Sequence, residues 1–289
     1  MSHLQSQISN IQSALQAAYP ADEANALAWW IAEELTGLSR TELQFGCKGT
    51  NFSSHMQEIE TIIDRLLHFE PIQYIFGHTL WNGLDLKVTP STLIPRPETA
   101  ELVERINLKS EILNLKSPIH VLDVGTGSGC IAISLKKAHP EWQVTGIDIS
   151  PQAIDIARQN ASRNNVEIDF QIMDIFSDYN GDFDLIVSNP PYICESEKSS
   201  MRRNVLEYEP ATALFVPDSD PLRFYRRIAE LFFRTPYTIH RTPKYLFFEI
   251  NEAYPAELSA MLDQLGYTDI QLINDIYGKP RIIEARMVR

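Results

Sequence analysis

The chain is poor in the residues that mark several large classes of protein. It has only three cysteines, Cys47, Cys130 and Cys194, and they are widely scattered. They form no Cys-x-x-Cys pair and no Cys/His cluster with zinc-ligand spacing, so no metal is expected. Buried or incidental thiols in a reducing compartment remain. Long apolar runs are missing too. Stretches such as Tyr245 to Phe248 are far too short to span a bilayer. The start, Met1-Ser2-His3-Leu4-Gln5-Ser6-Gln7, lacks the basic residues and apolar stretch of a signal peptide. Positive charge is scarce: 25 Lys and Arg stand against 38 Asp and Glu, for a net charge of −13. A protein that grips nucleic acid unaided usually has the opposite balance. Internal repeats and low-complexity tracts are also absent. These absences lead us to expect a soluble cytoplasmic protein with no membrane partner and no direct nucleic-acid partner.

What is present describes a globular protein. A length of 289 residues with 44% hydrophobic content suits a large domain plus a small one. The first ~70 residues read as helices. Ala24, Leu27, Ala28, Ile31, Ala32 and Leu35 share one helical face, with Pro20 before it, Asp22 and Glu23 in its first turn and Gly37 after it. Ile8, Ile11 and Leu15 mark an earlier helix. A later one begins near Ser54, with Gln57 completing a capping box, and carries Ile59, Ile62, Ile63, Leu66 and Leu67. From Pro71 to Pro97, glycines, prolines and the alternation Leu84-Asp85-Leu86-Lys87-Val88 suggest a short hairpin and a Pro-rich loop. A helix follows from Glu98 to about Leu108.

From Pro118 onward, strand and helix signals alternate. Strands are expected at Ile119–Val124, Gln143–Asp148, Glu167–Ile172, Phe183–Ser188 and Lys244–Ile250. Helices are expected after Ser150 and Pro151, near Pro221–Phe233 and near Pro255–Leu265. This is the pattern of a doubly wound, mostly parallel α/β sheet. Ile270–Ile276 and Arg281–Met287, either side of Tyr277-Gly278-Lys279-Pro280, read as an antiparallel hairpin. The expected organisation is a helical domain over 1–75, a hairpin and linker over 76–97, and the α/β domain over 98–289.

Three motifs carry chemistry. Asp123-Val124-Gly125-Thr126-Gly127-Ser128-Gly129 follows an apolar strand and opens a helix, so its backbone can approach a ligand closely. The dinucleotide fingerprint would need its third glycine at position 130, which is Cys130, and the Walker Gly-Lys-Ser/Thr is absent. Asp148 ends the next strand, where a carboxylate can accept hydrogen bonds from both ribose hydroxyls of a nucleoside. Asp174 ends the strand after that and either accepts from an adenine amino group or builds a turn. Asn189-Pro190-Pro191-Tyr192 follows a further apolar strand. Its two prolines stiffen the backbone and leave the Pro190 carbonyl free of local amide donors. The Asn189 side chain adds a second acceptor, and Tyr192 offers an aromatic face. Together they form a clamp for the two hydrogens of an amide or exocyclic amine.

These motifs together resemble the class I S-adenosylmethionine-dependent methyltransferases that act on amino groups. The closer resemblance is to the HemK/PrmC family of release factor glutamine methyltransferases, and it covers nearly the whole chain. Glu70-Pro71-Ile72-Gln73-Tyr74-Ile75-Phe76-Gly77 and Thr92-Leu93-Ile94-Pro95-Arg96-Pro97-Glu98-Thr99 are similar to family segments. So is the pairing of Asn189-Pro190-Pro191-Tyr192-Ile193 with Tyr208-Glu209-Pro210-Ala211-Thr212-Ala213-Leu214. The resemblance implies a seven-stranded methyltransferase sheet and methyl transfer from S-adenosyl-L-methionine, leaving S-adenosyl-L-homocysteine. The acceptor would be the glutamine amide of the Gly-Gly-Gln motif in class I peptide chain release factors, and the enzyme a monomer. Cofactor contacts are expected from Asp123, Gly125, Thr126, Gly127, Ser128, Gly129, Asp148, Ile149, Asp174, Ile175 and Asn189. Substrate contacts are expected from Asn189, Pro190, Pro191 and Tyr192, with Asn189 and Pro190 catalytic.

The chain departs from the family pattern at Thr235-Pro236-Tyr237-Thr238, at Tyr254, and at Ile175, where an aromatic is common. Arg96 either lines a cleft or pairs with an acid such as Glu98. The helical domain either recognises the protein substrate or caps the catalytic domain. A DNA adenine or RNA guanine amino methyltransferase is the alternative, because the same clamp fits those amines. A nicotinamide dehydrogenase is disfavoured by the glycine spacing, and a non-catalytic nucleoside-binding module has no need of Asn-Pro-Pro-Tyr.

Overall fold

Strands that alternate with helices must bury two apolar faces, and the sheet at the centre of this protein does so. The computed structural model describes residues 3–45, 52–113, 119–179, 181–231 and 244–287. The chain divides into two units. One comprises Met1–Gly77 with Arg202–Tyr208, and the other His78–Met201 with Glu209–Arg289.

The first unit is helical: α1 (His3–Leu15), α2 (Ala21–Thr36), α3 (Arg40–Phe45), α4 (Met56–Leu67) and α5 (Ile72–Phe76). Ile8, Ile11 and Leu15 of α1 pack with Ala24, Ala28 and Ile31 of α2 and with Ile59, Ile62 and Leu66 of α4. These are the residues that helical spacing places on single faces. Gly37 closes α2 in the left-handed conformation (φ 67°), donating its N–H to the Glu33 carbonyl. The start of this helix differs slightly from the expected position near Ser54. A short 3₁₀ turn over Phe52–His55 leads into α4, which starts two residues after Ser54, behind His55, whose own side chain makes no cap hydrogen bond. The helix over Arg203–Tyr208 belongs to this unit, with the Tyr208 hydroxyl donating to the His68 carbonyl and Arg203 stacked over Phe69.

The second unit opens with the hairpin β1 (His78–Trp81) and β2 (Leu84–Lys87). Asn82 and Gly83 both take positive φ there, as a two-residue hairpin turn requires. After α6 (Pro97–Leu113) come β3 (His120–Val124), α7 (Cys130–Ala138), β4 (Gln143–Asp148), α8 (Pro151–Arg163), β5 (Asp169–Ile172) and β6 (Leu185–Ser188). The two-residue strands β7 (Ile193–Cys194) and β8 (Phe215–Val216) pair with each other. With α9 as the Arg203–Tyr208 helix of the first unit, the chain ends with α10 (Arg223–Ala229), β9 (Lys244–Glu249), α11 (Pro255–Gln264), β10 (Thr268–Asn274) and β11 (Pro280–Met287).

Seven strands form one sheet in the order β10-β11-β9-β6-β3-β4-β5. β9, β6, β3, β4 and β5 are parallel, and β11 runs antiparallel to both β9 and β10. This is the seven-stranded, mostly parallel sheet with an antiparallel end implied by the resemblance. Alternate residues supply the two faces. Val121, Val187 and Phe247 join a core with Leu102 of α6, Ile131 of α7 and Ile154 of α8, while Leu122, Ile186 and Phe248 join one with Ile228 of α10 and Leu258 of α11.

Element ends differ from the sequence expectation by a few residues. β10 stops at Asn274 rather than Ile276 because the Asp275 carboxylate accepts the Tyr277 and Lys279 N–H groups and starts the turn. Cys130 and Cys194 are buried free thiols. Cys47, residues 235–238 and the end of the helix expected over 221–233 lie outside the described residues. Among the described residues, no helix is long and apolar enough to cross a membrane.

Candidate active site

The strand order reverses between β3 and β6, so chain segments leaving their carboxyl ends diverge and open a crevice. The glycine-rich segment leaves β3 and Asn-Pro-Pro-Tyr leaves β6. The Ser188 hydroxyl ties the two ends together by donating to the Val124 carbonyl at 2.7 Å. A cavity of about 430 Å³ lies there, lined by Gly125 to Ser128, Asp148, Ile149, Asp174, Ile175, Asn189, Pro190 and Pro191 among others. The two catalytic residues expected from sequence and most of the expected cofactor set therefore share one space. Asp123, Gly129 and Tyr192 do not line it.

The loop has a defined shape. Gly125 N–H and Thr126 N–H both donate to the Ile147 carbonyl at 2.9 Å, which binds the loop to the end of β4. Gly125 has φ +71° and nothing within 4 Å of where a Cβ would sit, so its backbone faces open space. Gly129 is glycine for a different reason. A Cβ there would lie 3.1 Å from Ile133, 3.2 Å from Ala157 and 3.3 Å from Phe170, so the absent side chain permits close packing of helix and sheet.

Asp148 accepts the Gly127 N–H through Oδ2 and the Ser150 N–H through Oδ1, both at 2.9 Å. This fixes its carboxylate at the cavity wall with lone pairs to spare. Burial raises its pKa, and the backbone hydrogen bonds oppose that rise. Asp174 lines the cavity and also forms a turn, because its Oδ1 accepts the Phe176 N–H at 2.9 Å. Asp123 is fully buried. Its Oδ2 accepts from the Thr126 hydroxyl at 2.7 Å and the Ala132 N–H at 3.2 Å, while Oδ1 has no partner among the described residues. Burial pushes its carboxyl up to about 7.

Pro190 is buried and Asn189 partly so. The Asn189 amide donates through Nδ2 to Thr99 Oγ1 at 3.2 Å. Among the described residues, neither Asn189 Oδ1 nor the Pro190 carbonyl accepts a hydrogen bond from the chain, which leaves two acceptors at the cavity wall. Tyr192 turns away from the cavity, and its hydroxyl donates to Glu249 Oε1 at 3.0 Å. Burial beside that carboxylate raises the phenol pKa well above its usual value, so it remains a donor.

Sequence reasoning missed several groups. Phe176 and Phe224 line the cavity with ring centroids 5.4 Å apart, and Arg223 lies over both. Phe176 follows Ile175 directly and is an exposed aromatic, so an aromatic is present one position beyond the place where the family commonly has it. Arg96 lines the cavity and pairs with Glu209, not Glu98, at 2.6 Å. Glu209 also accepts the Ile94 N–H at 3.3 Å. Asn160 braces the glycine loop by donating to the Ser128 carbonyl and exchanging hydrogen bonds with the Lys87 backbone. Tyr254 caps α11, and its hydroxyl meets Cys194 Sγ at 3.5 Å.

The donor set fits a nucleoside cofactor. The open backbone at Gly125, the fixed carboxylate of Asp148 and the apolar surfaces of Ile149, Ile175 and Phe176 suit close approach of a ligand, a ribose diol and a purine respectively. No group of three or more His, Cys, Asp or Glu side chains among the described residues could hold a metal ion.

Sheet order, glycine loop and Asn-Pro-Pro-Tyr corner define a class I S-adenosylmethionine-dependent methyltransferase. Comparison with known proteins narrows the class. The family described as Methyltransferase small domain matches residues 105–209, and the PrmC N-terminal domain matches residues 8–77. A release factor glutamine methyltransferase of Bacteroides thetaiotaomicron is 44% identical, covering 95% of this chain and 97% of its own. One from Flavobacterium psychrophilum is 42% identical, covering 94% and 95%. The solved catalytic domain of hMettl16, in complex with a MAT2A 3'UTR hairpin, matches with a TM-score of 0.52 at 16% identity over 71% of this chain and 76% of that one, a likeness of fold alone. The chain belongs to the release factor glutamine methyltransferase family.

Proposed function

We propose that this protein transfers a methyl group from S-adenosyl-L-methionine to the side-chain amide nitrogen of the glutamine in the Gly-Gly-Gln motif of class I peptide chain release factors. Such a modification would support translation termination. The observation that carries the reading is the pair of unused acceptors, Asn189 Oδ1 and the Pro190 carbonyl, on the wall of the cavity that also holds Asp148 and the glycine loop.

A carboxamide nitrogen is a weak nucleophile because its lone pair is delocalised into the carbonyl. When bound, S-adenosyl-L-methionine would supply a sulfonium-activated methyl group, with S-adenosyl-L-homocysteine as the product. The chain's task is positioning and electrostatics. Asn189 Oδ1 and the Pro190 carbonyl accept the two amide N–H bonds of the glutamine, fixing the plane of the nitrogen. The same two oxygens would stabilise the positive charge that methylation places on the nitrogen. One proton then leaves to solvent, so a strong base is not required. Gly125, Thr126, Gly127, Ser128 and Asp148 would hold the nucleoside end, with Ile149, Asp174, Ile175 and Phe176 offering surfaces for the purine. Asp123 and Gly129 support this from behind by shaping the loop. Tyr192 supports the clamp through Glu249 rather than as a stacking face.

We assign residues 1–75 to recognition of the release factor, 76–97 to the connection and 98–289 to catalysis. We further take the enzyme to act as a cytoplasmic monomer, with no direct nucleic-acid contact. The test is incubation with methyl-labelled cofactor and a class I release factor, followed by peptide mapping. Label on the Gly-Gly-Gln glutamine, absent when that glutamine is alanine, supports the reading. Label on DNA or RNA and none on the factor overturns it in favour of a nucleic-acid amino methyltransferase.

A further inference from the structure

We propose that Thr99 and Glu249 are positioning residues that dictate which end of the Asn189 amide the substrate meets. The inference rests on the reading of Asn189 as the amide clamp and deepens it. An asparagine side chain has an accepting oxygen and a donating NH₂ of almost the same size. Rotation by half a turn exchanges them at little steric cost. A glutamine nitrogen can be held by its hydrogens only if the oxygen faces the cavity, so the clamp needs a device that selects one rotamer.

The structure holds such a device. Asn189 Nδ2 lies 3.2 Å from Thr99 Oγ1, which lies 2.6 Å from Glu249 Oε2. A hydroxyl has a single proton. A carboxylate can only accept, so the Thr99 proton is committed to Glu249, and Thr99 has only lone pairs left for Asn189. The NH₂ end must then face Thr99, and Oδ1 is turned to the other side. The second oxygen of the same carboxylate accepts the Tyr192 hydroxyl at 3.0 Å. One carboxylate thus sets the direction of hydrogen bonding at both ends of Asn189-Pro190-Pro191-Tyr192.

Position 249 closes a strand whose preceding residues, Tyr245 to Phe248, are all buried and aromatic or aliphatic. Glu249 is itself 1% exposed. A well-packed apolar residue would serve stability there about as well, so a buried carboxylate at this position points to a role other than stability. Burial raises its pKa above the usual carboxylate value, and the Thr99 and Tyr192 hydrogen bonds and the nearby Arg281 oppose that rise, so the relay operates at the pH where Glu249 is ionised. Thr99 sits in the first turn of α6 and Glu249 at the carboxyl end of β9, so two rigid elements hold the relay.

The test uses the full chain with a class I release factor, reading kcat and KM for the factor and Kd for S-adenosyl-L-homocysteine. Thr99→Val keeps the shape and removes the hydroxyl. We expect kcat/KM to fall about 10- to 100-fold, with cofactor Kd within about threefold. Thr99→Ser should restore activity. Glu249→Gln offers one acceptor where two donors converge, so at least one hydrogen bond must reverse, and we expect a comparable fall at unchanged cofactor Kd. Equal losses in Thr99→Ser and Thr99→Val would assign the effect to packing and overturn the proposal. So would a parallel loss of cofactor binding or of the thermal melt in both Thr99→Val and Glu249→Gln. Asn189→Ala in the same assay separates the levels. If it loses turnover while Thr99→Val and Glu249→Gln do not, the relay fails and the clamp stands. If Asn189→Ala itself retains turnover, the clamp reading fails.

Discussion

Replacing Asp148 with alanine should fall hardest on cofactor affinity. The carboxylate is held by two backbone N–H groups, Gly127 and Ser150, each at 2.9 Å, so its position does not depend on a ligand. Facing a ribose, it would accept two hydroxyl protons. Hydrogen bonds to a charged partner are each worth roughly 1.5–3 kcal/mol, so losing two costs about 3–6 kcal/mol, or roughly 10²–10⁴ in Kd. Preorganisation places the effect toward the upper part of that range, because the wild-type site has little left to order on binding. Isothermal titration with S-adenosyl-L-homocysteine measures the loss. A double-mutant cycle with the 2′,3′-dideoxy analogue assigns it. The analogue should bind the wild type poorly and lose little further affinity to the variant, giving a coupling of several kcal/mol. A Kd for the variant within about threefold of wild type, or a coupling near zero, would refute the ribose role of Asp148.

Other positions yield further expectations. Asp123 has its pKa raised from 3.8 to about 7 by burial, so ionisation opposes folding. The penalty is absent below the unfolded value, grows as pH rises and is complete above about 7, where it amounts to roughly 4 kcal/mol. Asp123→Asn can keep its oxygen on Thr126 and Ala132, and it should flatten the fall in denaturation midpoint between pH 4 and 7; an unchanged slope would count against the assignment. Phe176→Ala should weaken S-adenosyl-L-homocysteine binding by roughly 10- to 100-fold if the ring stacks on adenine, since base–aromatic stacking is worth about 1–3 kcal/mol. Gly146→Ala would place a Cβ 2.6 Å from the Phe170 ring and 3.0 Å from Thr126 Oγ1. Overpacking of that kind costs about 1–3 kcal/mol, visible as a lower melting temperature.

Much of the fold could be read from periodicity because the elements bury one face each. Ile8, Ile11 and Leu15 repeat at helical spacing and form part of a real helical core. The runs ending at Val124, Asp148 and Ser188 are strands buried within a parallel sheet, which is why the motifs that follow them share one edge. The glycine loop, Asp148 and Asn189 were legible for the same reason, since each lies at the carboxyl end of a strand or directly after one. What escaped notice depends on distant pairing. Thr99 and Glu249 meet across 150 residues, and no local pattern announces that contact. Arg96 chose Glu209 over its neighbour Glu98 because tertiary packing brings that buried carboxylate to it. The direction of Tyr192 was likewise hidden, because a rigid proline corner tells where the next side chain begins but not which buried acceptor claims its hydroxyl. Near Ser54 a 3₁₀ turn, in which Phe52 is buried, moves the start of the α-helix to Met56, a shift that helical spacing does not announce.

Single-turnover methylation of a class I release factor by Asn189→Ala, run beside cofactor titration of the same preparation, probes the amide corner most directly. Two unused oxygens that hold and stabilise the reacting nitrogen predict a rate lower by about 10²–10³, with cofactor affinity and melting temperature close to wild type. A rate near that of the unaltered enzyme, with the label still on the Gly-Gly-Gln glutamine, would contradict the account.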